Sequence, residues 1–349
     1  MGYKVLSCGS NGNYQLGISD DEDYNTLQAA QFHIDDKVVS DMPDKPIKIV
    51  CGGNHTFVLF ESGSLYSCGQ NTYGQCALAS RQHIVGFHQV QGSWKDVSAG
   101  WEFSVLVNKH DELFVCGLGL KHELGLGSIT RTEMKKLDIK FPSPINKIRS
   151  CVNHTILILQ NGELHGWGNC RKGQLGTLVA KANGKLPSTL TSPTKLNFGV
   201  EQILDFDIGR DVTYIYSGTH VYIFGKTKEL FTVEKPIGSL KSMWSSVHYT
   251  CDSKINSYGN NSHGQLIPST SPCPRSFEIG SEHGLLHANN KVYAWGWGEH
   301  GNCGVHSKPV SSKLEDQVTF NYLNEIYSGS NVILLGCGCA TSWIIVSTV

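Results

Sequence analysis

One phrase recurs along this chain: an apolar residue, a glycine, a short polar turn, then Gln-Leu-Gly or a close variant. Cys8-Gly9-Ser10-Asn11 leads to Gln15-Leu16-Gly17, and Cys68-Gly69-Gln70-Asn71 leads to Gly74-Gln75. Cys116-Gly117 leads to Glu123-Leu124-Gly125, and Trp167-Gly168-Asn169 leads to Gln174-Leu175-Gly176. Phe224-Gly225 is a worn copy, Tyr258-Gly259 leads to Gln265-Leu266, and Trp295-Gly296 leads to Asn302-Cys303-Gly304. The anchoring glycines stand at 9, 69, 117, 168, 225, 259 and 296, about 48 residues apart on average. A fixed period of this size is the mark of a repeat architecture, in which no unit buries its own apolar face.

A second phrase, Gly-x-x-His followed by an apolar strand, precedes six of these copies. It runs from Gly52 to His55, Gly100 to Phe103, Cys151 to His154, Gly209 to Val212, Ser245 to His248 and Gly280 to His283. A further copy, Gly338 to Thr341, closes the sequence with Trp343-Ile344-Ile345-Val346. Turns separate the paired strands, most clearly Asn161-Gly162, a dipeptide suited to the positive φ angles of a tight hairpin. Each unit therefore reads as a small antiparallel sheet, as in a propeller blade. The chain begins with a strand and a glycine phrase and ends with a Gly-x-x-His strand, so two half-repeats add to one. Pairing them shuts a ring and removes the exposed sheet edge. The expectation is an all-β, seven-bladed propeller occupying residues 1–349 as one domain, its last blade closed by the terminal strands.

Composition narrows the function classes. Lys plus Arg is 29 and Asp plus Glu is 30, a net charge of −1, so no basic face dominates as nucleic-acid binding requires. No apolar stretch reaches membrane-spanning length. Residues 1–10 hold only a short apolar run, and no secretory leader is expected. The 12 cysteines accordingly read as reduced thiols, and only Cys337 and Cys339 stand close, at C-x-C spacing. A cytoplasmic protein is expected, with the nucleus as a second site. The insertions 17–46 (with acidic Asp20-Asp21-Glu22-Asp23), 177–199 (with Ala180-Lys181-Ala182-Asn183) and 304–325 read as solvated surface loops.

Catalytic patterns fail when tested physically. Gly296-Trp297-Gly298-Glu299-His300-Gly301 matches G-x-G-x-x-G, but no helix start follows to hold a pyrophosphate. Neither a G-x-S-x-G elbow nor H-E-x-x-H occurs. His55, His154, His248 and His283 start equivalent strands, with Phe103, Val212 and Thr341 in the same place. They read as structural histidines bonded to neighbouring backbone, not as a metal ring. Asn54-His55-Thr56 and Asn153-His154-Thr155 match the glycosylation sequon inside strand starts and are expected bare. No catalytic residue, cofactor or metal site is expected.

Tryptophans supply the candidate site. Trp167 and Trp295 share a place with Cys8, Cys68, Cys116, Phe224 and Tyr258, which reads as packing between blades. Trp101, Trp244 and Trp297 break that pattern by falling in turns, and tryptophan is an enriched interface anchor. Glu282, Glu299 and His300 share the same phrases and offer charge-assisted hydrogen bonds. Trp101, Trp244, Glu282, Trp297, Glu299 and His300 are therefore expected on one propeller face as a partner-binding set.

The two phrases in series resemble the regulator of chromosome condensation family over essentially the whole chain. Gly280-Ser281-Glu282-His283-Gly284, the run from Val292 to Gly304, and Gly338-Cys339-Ala340-Thr341-Ser342-Trp343-Ile344 more narrowly resemble its fungal alpha-tubulin-suppressor, or killer-toxin-insensitivity, group. That resemblance implies a non-enzymatic scaffold paired with a small CSL zinc-ribbon metal protein, in service of Elongator-dependent tRNA wobble-uridine modification and diphthamide synthesis. The broader family implies a rival, guanine-nucleotide exchange on a Ran-type small GTPase, although no basic N-terminal tail precedes the first strand here. An enzyme with a site assembled from several blades is the third reading.

Overall fold

Each anchoring glycine sits where a strand comes too close to its neighbour for a side chain. Gly9 has φ 115°, and a Cβ there would lie 2.2 Å from the Ala340 carbonyl oxygen. Gly69 repeats this, with φ 103° and a Cβ 2.5 Å from the Asn54 carbonyl oxygen. The same carbonyls accept the next amide, Ser10 N–H at 2.8 Å and Gln70 N–H at 2.8 Å. The glycine phrase is thus the lock that fastens the third strand of a sheet to the turn before its second.

The computed structural model describes residues 2–79, 81–178, 184–226, 228–307 and 317–348. Residues 179–183 of the second insertion and 308–316 of the third lie outside them. All the regular structure described is β, in seven sheets. The first blade runs from its inner strand outward as Pro46–Cys51, His55–Phe60, Leu65–Gln70 and His83–Val90. The second is Trp94–Ala99, Phe103–Asn108, Leu113–Leu118 and Arg131–Lys136; the third is Ile145–Cys151, His154–Leu159, Leu164–Asn169 and Thr189–Lys195. The fourth is Asp205–Ile208, Thr213–Tyr216, His220–Phe224 and Lys228–Thr232. The fifth has three strands, Leu240–Ser242, Ser246–Cys251 and Lys254–Gly259. The sixth is Ser276–Ile279, His283–Ala288, Lys291–Trp297 and Val318–Ser328. The seventh joins C-terminal Val332–Cys337 and Thr341–Thr348 to N-terminal Gly2–Gly9 and Tyr24–Ala29. Gly2 to Gly9 pairs antiparallel with Thr348 to Thr341 without a break, so the expected propeller and its terminal closure are present.

Seven apolar cores fill the seven seams between adjacent blades. Second strands are therefore buried on both faces and read as continuous apolar runs. Along His154–Leu159, Leu157 and Leu159 face the second blade while Ile156 and Ile158 face the fourth. Burying each such side chain is worth about 1.5–3 kcal/mol. Polar ties cross the same seams. Thr56 Oγ1–H donates to the Gln15 carbonyl at 2.9 Å, Ser104 Oγ–H to Gln75 at 2.7 Å, and Thr213 Oγ1–H to Gln174 at 2.6 Å. Trp167 and Trp295 are buried there, each Nε1–H reaching a preceding-blade carbonyl, Glu123 at 2.7 Å and Gln265 at 2.8 Å.

Three readings are corrected. First, insertion 17–46 is not a solvated loop throughout. Its Phe32–Ile34 and Lys37–Val39 hairpin adds to the first blade beside His83–Val90, and Phe32 is buried, stacked on Phe87 at 4.8 Å. Second, the fifth blade's turn starts two residues earlier than the sequence phrase suggested. Met243 N–H bonds the Ser246 carbonyl at 2.9 Å, as Gly280 N–H bonds His283 at 2.8 Å. Met243 and Ser246 thus take the glycine and histidine places, and His248 lies inside the strand. Third, the repeat histidines do not share a backbone partner: among the described residues His154 has none at either ring nitrogen, and two others reach hydroxyls. His55 Nε2 lies 2.8 Å from Ser104 Oγ, and His283 Nε2 lies 3.0 Å from Ser342 Oγ, each in the next blade. Burial drives these imidazoles down, His55 and His248 to about 3, His154 and His283 to about 4.

Candidate protein-binding face

Each inner strand ends in a tight turn, and these turns share one face with the glycine-phrase loops. The first turn residue is Gly53, Trp101, Val152, Arg210, Trp244, Ser281 or Cys339 in successive blades. Their backbones join around the channel. Gly53 N–H donates to the Trp101 carbonyl at 3.1 Å, Trp101 N–H to Val152 at 2.9 Å, Arg210 N–H to Trp244 at 3.2 Å, and Trp244 N–H to Ser281 at 2.8 Å. Two bonded runs of turns result, one from Gly53 to Val152 and one from Arg210 to Ser281, and each brings a tryptophan to the channel mouth.

Trp101 and Trp244 therefore occupy the same repeat place on the second and fifth blades. Their rings meet, with centroids 6.0 Å apart and planes tilted by 50°. Trp101 is 41% exposed. The Arg210 guanidinium lies 5.7 Å from the Trp244 ring centroid, on its face. Glu282, the second residue of the sixth turn, accepts Ser245 Oγ–H at 2.9 Å and Gln265 Nε2–H at 2.9 Å. Burial raises its carboxyl above the usual range. Trp297 directly follows the anchoring Gly296, bonds the Glu282 carbonyl through its amide at 3.0 Å, and stacks on His263 at 4.8 Å. It is 36% exposed. His300 lies farther out, its Nδ1 2.8 Å from the Asp23 carboxylate of the acidic insertion. Glu299 is half-buried beside it.

All six expected residues thus stand on the turn face. Trp101, Trp244, Glu282 and Trp297 form a connected arc, whereas Glu299 and His300 sit at its outer end. Sequence reading missed Arg210, which holds the same turn place as the two tryptophans, and His263, which backs Trp297. It also missed Leu120, 72% exposed in the second blade's glycine-phrase loop. The signal for Arg210 was the repeat position it shares with Trp101; the misplaced fifth-blade register hid only that Trp244 shares it too.

Below the arc lies a channel cavity of about 290 Å³, lined by inner strands and by both tryptophans. Its charges pair between neighbouring blades, Lys48 with Asp96 at 2.5 Å, Lys147 with Asp205 at 2.6 Å, Arg149 with Asp207 at 3.2 Å, and Lys241 with Glu278 at 2.6 Å. The pairs join the first blade to the second, the third to the fourth and the fifth to the sixth. Seven is odd, and the leftover closing blade lines the channel with Leu334 and Leu335. Burial lowers Lys48 and Lys147. Burial also opposes charge on Arg149, yet Asp207, Asp96, Glu278 and Asp205 hold its pKa above the ordinary value. These pairs tie neighbouring blades together across the channel wall, but their side chains stay partly exposed to it, so each is worth less than a fully buried pair. Among the described residues, no group of three or more His, Cys, Asp or Glu side chains is placed to hold a metal ion.

Comparison with known proteins agrees with this architecture. Residues 4–59 and 62–107 match the regulator of chromosome condensation (RCC1) repeat, and residues 47–75 match a second profile of that repeat. An RCC1 repeat-containing protein of Schizosaccharomyces pombe is 29% identical over 98% of this chain and 98% of its own length. A secretion-regulating guanine nucleotide exchange factor of Bos taurus is 23% identical over 86% of this chain and 75% of its own. Among solved structures, Prp20p from Saccharomyces cerevisiae superposes with a TM-score of 0.81 at 16% identity, covering 100% of this chain and 92% of that one. Human WBSCR16 gives 0.78 at 13% identity, covering 99% of each. At these identities the structural likeness shows the fold.

Proposed function

We propose that this chain, an RCC1-repeat propeller of seven blades, is a protein-binding scaffold that offers its turn face to a small CSL zinc-ribbon metal protein. On this reading the pair supports Elongator-dependent tRNA wobble-uridine modification and diphthamide synthesis, in the cytoplasm with the nucleus as a second site. The observation that carries the binding role is the meeting of Trp101 and Trp244. Two large rings from distant blades converge at the channel mouth, each on a turn hydrogen-bonded to the turn of a neighbouring blade. Rigid aromatic anchors of this kind carry a disproportionate share of interface energy. Glu282 and Arg210 flank them with opposite charge. The zinc-ribbon partner itself rests on the narrower sequence resemblance at Gly280–Gly284 and Val292–Gly304.

Calorimetric titration of the purified chain with a CSL zinc-ribbon protein tests this. A complex is expected at or below micromolar Kd, weakened about 1000-fold by Trp101→Ala with Trp244→Ala, since hot-spot truncations cost about 2 kcal/mol or more each. Absence of a complex at micromolar concentrations, or an unchanged Kd in the double variant, sinks the reading. The second reading is nucleotide exchange, favoured by the Bos taurus relative's name. Release of labelled GDP from a Ran-type GTPase decides it, and acceleration well above background would replace the scaffold reading.

A further inference from the structure

We infer that the rim of the fifth blade is a docking groove for an extended segment of a partner polypeptide, which enters as that blade's missing fourth strand. This goes beyond the turn face and does not depend on it. Among the described residues, the other blades each have an outer strand against their third, and the fifth has none. The chain is not too short to supply one. The fourth blade fits Lys228–Thr232 between Phe224 and Leu240, a gap no longer than that from Gly259 to Ser276. The fifth-blade connection instead carries Pro268, Pro272 and Pro274, which lack the N–H a ladder needs.

The uncovered strand is open in fact as well as in topology. Leu65–Gln70 and Leu164–Asn169, its counterparts in the first and third blades, are almost wholly buried. Along Lys254–Gly259 only Ile255 is buried, and Tyr258 is 46% exposed. Asn260 N–H bonds the Ser245 carbonyl at 3.1 Å, which sets the ladder's phase. Ser246 and Gly259 are then a non-hydrogen-bonded pair, so Ile255, Ser257 and Gly259 direct their N–H and C=O outward. Their first-blade equivalents Leu65, Ser67 and Gly69 are the residues paired to the outer strand there.

The shape selects the occupant. The outer strands of the fourth and sixth blades, Lys228–Thr232 and Val318–Ser328, stand on either side, so the open edge is recessed by one strand spacing, about 4.8 Å. Two copies of this propeller cannot bring two recessed edges into pairing distance. A single extended segment can enter, by strand addition. On the fourth-blade side it meets Tyr258, whose ring lies 5.2 Å from Phe231 and whose hydroxyl lies 3.4 Å from the Glu229 carboxylate. That wall selects an apolar side chain, with a basic one toward Glu229.

Linear peptides of about ten residues, one typical strand with flanks, displayed as a library and selected on the full chain, provide the probe. Enriched peptides are expected to carry the apolar-basic pattern and to slow amide exchange at Ile255 and Ser257, which exchange faster than Leu65 and Ser67 in the free protein. Ser257→Pro removes an outward donor and leaves the inner ladder whole; it should weaken binding at least ~10-fold. Tyr258→Ala, an exposed change, should weaken it without altering the fold and serves if the proline variant unfolds. Four results would overturn the inference: no enrichment, binding indifferent to both variants, free-protein amides at 255 and 257 as protected as those at 65 and 67, or self-association of the chain that Ser257→Pro abolishes.

Discussion

The closing blade and the fifth blade depart from the common four-stranded unit in opposite directions. The closing blade is held by no covalent link between its halves, and the molecule seals it heavily. Gly2–Gly9 pairs along its whole length with Thr341–Thr348, and its other edge carries both Tyr24–Ala29 and, opposite Tyr3 and Lys4, the short Asp41–Met42. Phe32, Phe60, Tyr66, Phe87 and Trp343 fill its seam with the first blade. The fifth blade is continuous in sequence and is left one strand short, its outer edge lined by Lys254, Asn256 and Tyr258. Sealing follows the place where the ring can open, because a ring fails at its one non-covalent joint. An edge inside a continuous stretch is free for another use.

The comparison can be broken by testing its two sides separately. Trp343→Ala should have the largest effect. The ring is fully buried and packs edge-on to Phe87 at 6.0 Å, so its loss should lower stability by about 3–5 kcal/mol, read by denaturant unfolding. A change below 1 kcal/mol would show that closure does not limit stability.

Acid sharpens the contrast. His283, buried and held down to about 4, ties the sixth blade to Ser342 of the closing blade. Unfolded, it takes a proton at its ordinary pKa near 6.5. The unfolded state therefore binds more protons, and stability is intact above pH 6.5 and falls as pH drops toward 4. His283→Gln should flatten that fall by about 1.4 kcal/mol per pH unit, seen as Tm against pH. An unchanged slope would assign the acid lability elsewhere.

The smallest effect belongs to the fifth blade. Tyr258→Ser should cost about 0.5–1.5 kcal/mol, the worth of its ring contact with Phe231 at a half-exposed site. A larger loss in the same unfolding assay would mean that the open edge is structural.

Much of this was legible because blade chemistry is local. A glycine that must have positive φ, an Asn-Gly turn and a two-sided apolar strand leave marks within a few residues, and their recurrence counted the blades and predicted the closure. Trp101, Trp244 and Trp297 were readable as departures from the repeat, and Glu282, Glu299 and His300 only as their neighbours in the same phrases. The fifth-blade register was not, because Met243 and Ser246 stand where glycine and histidine stand elsewhere, and His248 mimics the phrase two residues late. That shift hid that Trp244 shares the place of Trp101 and Arg210.

The sequence by itself determined the number of blades, the central strand pair of most of them and the joint that shuts the ring, since these follow from hydrogen bonds and sterics between near neighbours. The tertiary structure alone decided that Trp101 meets Trp244, that Lys48 finds Asp96 and Arg149 finds Asp207, and that Phe32 fills the closing seam. Those contacts depend on how the blades stand around one axis, and side chains far apart along the chain become neighbours only when the circle is complete.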